Sequence, residues 1–120
     1  MAKYVDGYVL PIPKKKLKEY QKMAKEAGES WMRHGALQYF ECAGDDLNAE
    51  WSSIKFPKMA KVKPGETVIF AFVIYKSKKH RDAVNAKVHK EMGELYAEDA
   101  PMPFDMKRMA FGGFTTIVEY

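Results

Sequence analysis

From Val68 to Tyr75 the chain runs Val-Ile-Phe-Ala-Phe-Val-Ile-Tyr without one charged residue. So short a run, rich in β-branched and aromatic residues, predicts a strand rather than a helix. Alternation sends Val68, Phe70, Phe72 and Ile74 to one face and Ile69, Ala71, Val73 and Tyr75 to the other, so both faces are apolar. The helices of a 120-residue chain cover one face of a sheet. The second face is left for a partner chain or a ligand cavity.

The rest of the pattern places this strand third of four. Residues 3–13 form a first strand that ends in Pro11-Ile12-Pro13. Leu17, Tyr20, Ala24, Ala27 and Trp31 then follow one stripe of a 3.6-residue period, opposite Lys18, Lys22, Lys25, Glu26 and Glu29, which predicts an amphipathic helix. Gly28 inside the stripe costs helicity, and Gly35 after His34 suits a helix stop. Residues 36–44 form a second strand ended by Gly44-Asp45-Asp46 turn chemistry. Phe56, Met59 and Val62 have the spacing of one short helix. Ser77 is a natural cap for a second long helix, with Val84, Val88, Met92 and Leu95 on its stripe. A loop over 94–107 and a last strand over 108–119 complete the order β-α-β-α-β-α-β.

Two β-α-β halves of this kind, the second strand returning antiparallel, predict an α+β fold of the ferredoxin-like split βαβ type. It is expected as one domain over 1–120: a four-stranded antiparallel sheet in the spatial order fourth, first, third, second. Gly112-Gly113 in the last strand predicts a bulge.

Composition narrows the function classes. Hydrophobic residues make 47% and charged residues 30% of the chain, which excludes disorder. No apolar run approaches the roughly 20 residues of a membrane span, and the first residues lack a signal-peptide core. One cysteine, Cys42, cannot form an internal disulfide, and this points to a reducing cytoplasm. Twenty basic against sixteen acidic residues leave a net charge of +4. The lysine clusters at 14–16 and 76–79 sit where helices begin and lack interleaved exposed aromatics, so neither nucleic acid nor membrane is the expected partner. His80 and His89 do not share a helical face. With a single cysteine, no metal site and no cofactor are expected.

Strings spread along the whole chain resemble the YbaA-like family of bacterial proteins of unknown function. They are Tyr4-Val5-Asp6-Gly7, Gly35-Ala36-Leu37 with Glu41-Cys42 and Gly44-Asp45-Asp46, Tyr75-Lys76-Ser77 with Arg81-Asp82-Ala83 and Asn85, Met102-Pro103-Phe104-Asp105, and Arg108-Met109 with Gly112-Gly113-Phe114. The resemblance implies the dimeric α+β barrel superfamily, in which two ferredoxin-like sheets face each other across a two-fold axis. Quinol-type monooxygenases and haem-degrading enzymes share that fold, but fold does not fix function, and the family implies no substrate.

Four residues are candidates for chemistry: Asp6, Glu41, Arg108 and His34. On the first strand Tyr4, Asp6, Tyr8 and Leu10 share a face. The small set Val5, Gly7 and Val9 suits packing under helices, so the aromatic set with its carboxylate is expected to point into the barrel. Asp6 is then either a base or substrate anchor, or half of a structural ion pair with Arg108. Glu41 is either a barrel-lining carboxylate or a wetted edge residue. His34 is either a general base or a cap on the helix C-terminus. Cys42 fits a buried inert thiol better than a nucleophile. Tyr8, Phe72, Tyr75 and Met109 are the expected lining of a ligand pocket. Two functions follow. One is a homodimer that binds or transforms a small aromatic or quinone-like compound between sheet and helices. The other is a non-catalytic dimeric interaction or stress-related module.

Overall fold

A computed structural model of the chain describes residues 2–97 and 99–120. Met1 and Glu98, which the expected domain and the 94–107 loop include, lie outside the described residues. The order is β1 (Tyr4–Pro13), a 3₁₀ turn (Lys14–Lys16), α1 (Leu17–Arg33), β2 (Gln38–Ala43), α2 (Phe56–Met59), β3 (Glu66–Tyr75), α3 (Lys78–Leu95), a second 3₁₀ turn (Met106–Arg108) and β4 (Ala110–Thr115). The four strands form one antiparallel sheet in the order β2-β3-β1-β4, the ferredoxin-like arrangement read from the sequence. The Ser77 hydroxyl accepts from His80 N at 3.1 Å and caps α3.

The molecule measures 39 × 38 × 20 Å, and a 20 Å thickness accommodates one sheet and one helix layer. Helices α1 and α3 therefore cover one face only. Beneath them lie two adjoining cores. Leu10, Ile12, Ile69 and Ala71 meet Tyr20 and Ala24 of α1, while Val73 and Tyr75 meet Val84 and Val88 of α3. Gly28 brings α1 down onto β2, because a Cβ there would lie 2.8 Å from Tyr39 Cδ1.

The set under the helices is the aromatic one. Tyr4, Asp6, Tyr8 and Leu10 face α1 and α3, and Val5, Gly7 and Val9 lie on the open face, the reverse of the sequence expectation. The reason is α3, which supplies charged and amide partners for Asp6 that a barrel interior would have to find elsewhere. On the open face three rows run across the sheet: Gln38-Ile74-Val5-Phe114, Phe40-Phe72-Gly7-Gly112 and Cys42-Phe70-Val9-Ala110. None contains a charge. Phe40 and Phe72 stack at 4.8 Å, Phe72 meets Phe70 at 5.4 Å, and Phe70 meets Phe56 of α2 at 6.5 Å. Cys42 is exposed on this face in the single chain, not buried as its composition suggested. The β1–β4 register is continuous from Tyr4↔Thr115 to Val9↔Ala110, so Gly112-Gly113 makes no bulge. Gly113 gives room to Tyr4, whose Cε2 would lie 2.7 Å from a Cβ at that position.

Candidate functional site: carboxylates and tyrosines under the helices

Two carboxylates are held on the helix-covered face. Asp6 is fully buried. Its Oδ2 accepts from Asn85 Nδ2 at 3.0 Å, and Arg81 Nη1 lies 3.2 Å from its Oδ1. Asn85 Oδ1 accepts in turn from the Tyr75 hydroxyl at 2.8 Å and from Trp31 Nε1 at 3.1 Å, and Trp31 Nε1 also reaches the Tyr75 oxygen at 2.9 Å. Arg81 donates to the Tyr4 hydroxyl at 3.3 Å, its guanidinium carbon 4.9 Å from the Tyr4 ring centre. Arg81 and Asn85 are four residues apart on α3, so both reach one spot on the sheet. Burial and the Asp6 charge push the Tyr75 hydroxyl far above its ordinary range. It therefore serves as a neutral donor.

The second carboxylate is Glu41 on edge strand β2. It accepts from the Tyr20 hydroxyl at 2.7 Å and from the Tyr39 hydroxyl. Burial raises its pKa above the usual carboxylate range, against the lowering effect of the two hydrogen bonds. Both tyrosines are pushed well above their ordinary range by burial and by the Glu41 charge. The cross-sheet register places Glu41 opposite Ala71, Ala71 opposite Tyr8, and Tyr8 opposite Phe111. Ala71 is small, so Glu41 and Tyr8 face each other across a low point in the sheet. Burial raises Tyr8 as well, with Asp6 and Glu41 both adding to the rise. Tyr8 thus stands between the two carboxylate clusters.

Of these two carboxylates, Glu41 lines a cleft. A cavity of about 510 Å³ opens between α1 and the β2 edge, lined by Leu17, Tyr20, Ala24, Tyr39, Glu41, Cys42, Ala43 and Ile69, with Gln21 and Lys25 also contributing. That volume lies within the range of small-molecule sites, roughly 300–1,000 Å³. A carboxylate offers about four acceptor positions, and two tyrosines leave some of them for a ligand hydroxyl or amine. A half-desolvated carboxylate with a raised pKa is also suited to exchanging a proton with such a group.

The remaining candidates fall elsewhere. Arg108 does not meet Asp6. It makes paired hydrogen bonds to Glu66 at 2.8 Å and one to Lys61 O at 2.8 Å. The cause is register: Asp6 pairs with Gly113, whereas Glu66 pairs with Pro13, seven residues along β1 and roughly 23 Å away. His34 caps the C-terminal end of α1, with Nε2 3.5 Å from Glu91 Oε2, and does not line the cleft. Tyr8, Tyr75 and Met109 lie on the helix side, and Phe72 on the open side, so these four do not line one pocket. Glu41 stands opposite Ala71, four residues short of Tyr75 on β3. The helical period puts Tyr20 on the α1 stripe, and strand alternation puts Tyr39 and Glu41, two residues apart, on one face. Neither pattern carries a signal that the two hydroxyls converge on one carboxylate.

Among the described residues no group of three or more His, Cys, Asp or Glu side chains could hold a metal ion, and no helix is long and apolar enough to cross a membrane.

Comparison with known proteins places these features in a family. Residues 3–106 match a family described as "Protein of unknown function (DUF1428)". The chain is 38% identical over 122 aligned positions to the uncharacterized protein YbaA of Escherichia coli strain K12, covering 98% of both chains. The uncharacterized YbaA of Shigella flexneri matches to the same extent. Among solved structures, a dimeric ferredoxin-like protein from an uncultured marine organism superposes with a TM-score of 0.57 at 12% identity, covering 100% of this chain and 98% of that one. At that identity the likeness concerns the fold alone.

Proposed function

The chain belongs to the DUF1428 family of proteins of unknown function, and we propose that it acts as a homodimer binding a small aromatic or quinone-like compound in the cleft at Glu41. The carrying observation is Glu41 itself, a carboxylate held by Tyr20 and Tyr39 at the wall of a cavity that also presents Leu17, Ala24 and Ile69, with Gln21 and Lys25 at its lining. An aromatic ring fits against Leu17, Ala24 and Ile69. A phenolic or quinol hydroxyl on that ring donates to Glu41, and transfer of its proton is the reaction the site is built to assist. Support for the dimer comes from the three uncharged rows of the open sheet face and from the marine neighbour, which is described as dimeric. Self-association through the two open faces would give a barrel of eight strands.

The test is calorimetric titration of a panel of phenols, quinols and quinones into the wild type, Glu41→Gln and Tyr39→Phe. Saturable binding that weakens strongly in Glu41→Gln, and less in Tyr39→Phe, is the expected result. A panel in which nothing binds, or binding indifferent to Glu41, overturns the proposal. One observation favours the second reading, a dimeric interaction module without catalysis. Asp6 is fully buried with Asn85 and Arg81 as its partners and lines no cleft described above, and dimer burial alone would account for the open face. A dimer that binds none of the compounds would support that reading.

A further inference from the structure

Large apolar side chains are bare at two places beside the open sheet face. One is segment 51–59, where Trp51 is 91% and Ile54 68% exposed. The other is the tail after β4, where Ile117 is 91% and Val118 70% exposed. They lie at diagonally opposite corners. The tail leaves beside the start of β1, where Thr116 N and Oγ1 both donate to Lys3 O at 3.0 Å. The segment seats Phe56 against Phe70, toward the Ala43 end of β2. The corners also differ in charge. Residues 51–63 carry Lys55, Lys58, Lys61 and Lys63 and no acid, while the tail carries Glu119.

We propose that in the homodimer the tail of one copy docks on segment 51–59 of the second copy, apolar side chains meeting and Glu119 facing the lysines. The proposal rests on the dimer reading above. The tail cannot serve its own segment. Two strand spacings and five residues of strand separate the end of β4 from Phe70, roughly 19 Å, while four extended residues span about 13 Å. A second copy brings the two together. Sheets packed face to face with strands crossing near a right angle are one of the two common packings. With the two-fold axis along the other sheet diagonal, the one that does not join these corners, the Thr115 end of β4 lies over the Ala43 end of the partner's β2. Symmetry then makes the same contact twice. Lys3 holds Glu119 at 2.5 Å in the single chain, both side chains nearly half exposed; such a surface pair is weak enough to exchange.

The test measures dimer dissociation constants by sedimentation for the wild type, Trp51→Ala, Ile117→Ser and the double variant. Each single change is expected to weaken the dimer about tenfold, as for a buried interface anchor. The double change should weaken it little further, because one contact is removed from either side. Both side chains are almost fully exposed in the single chain, so each variant keeps its fold, checked by circular dichroism. Modification of Cys42 by a thiol reagent should speed up in parallel as the open face is uncovered. A wild-type dimer indifferent to all three variants, or losses that multiply in the double, overturns the tail contact and leaves the dimer standing. A wild-type monomer overturns both.

Discussion

At the scale of single residues, the two buried carboxylates differ in how they are compensated, and that difference is measurable. Asp6 has a guanidinium and an amide. Removing one partner of a buried ion pair strands the other charge, so Asp6→Asn should cost roughly 3–5 kcal/mol. Asp6→Asn with Arg81→Met should recover much of that loss in denaturant melts; additive losses would show that the pair is not the unit. Glu41 has only neutral donors, and its pKa is raised in the fold. A carboxyl group with a raised folded pKa binds more protons folded than unfolded. Its contribution is therefore fully present below the ordinary value of 4.5 and is lost as pH rises through the folded value. Glu41→Gln does not titrate. It should gain on the wild type in thermal melts as pH moves from 4 toward neutrality, and a gap independent of pH would contradict the burial of the charge. A site held at a cost to stability is what a ligand-anchoring group displays.

At the scale of elements, α1 is positioned by its closest approach to the sheet. Gly28→Ala gains up to ~1 kcal/mol of helix propensity, but its Cβ would sit 2.8 Å from the Tyr39 ring. Overpacking of this kind costs about 1–3 kcal/mol. The clash is expected to win, lowering the melting temperature and displacing the Tyr39 hydroxyl from Glu41; a more stable variant would mean that α1 rides higher than described. The strand order, the two long helices and the doubly apolar β3 were legible in periodicity, because residues a few positions apart determine them. The orientation of β1 was not. Alternation groups Tyr4, Asp6 and Tyr8 but does not say which face meets the helices. That choice depends on Arg81 and Asn85, 75 and 79 residues downstream of Asp6. The Asp6–Arg108 pairing failed for a related reason. Expecting β4 from residue 108 gave no register, and the observed register sets Arg108 beside Glu66, whose pKa it lowers to about 2. The cleft at Glu41 was half legible: the residue was singled out, while the convergence of Tyr20 on it, 21 positions away, required the fold.

At the scale of the whole molecule, the open sheet face decides between a chain that works alone and one that works in pairs. Phe72 is the central test, because it lies in the middle row of that face and stacks on Phe40 and Phe70. Neither core beneath the helices includes it. Phe72→Asp puts a charge where the faces would meet and leaves those cores intact. A stable interface buries about 1,200 Å² or more, and a carboxylate desolvated without a partner at its centre should abolish association. The expected outcome is a folded monomer in sedimentation. The melting temperature of the wild type should rise with protein concentration, as it must for a dimer, and that of the variant should not. A variant that stays dimeric would move the interface away from the sheet. The same variant separates the two functions, because Phe72 lies on the open face and is not among the residues lining the Glu41 cleft. A monomer that still binds the phenol or quinol would show the cleft to be complete by itself, with the dimer serving stability. A monomer that has lost binding would show that the partner shapes the site through the β2 edge, where Cys42 borders both the cleft and the open face.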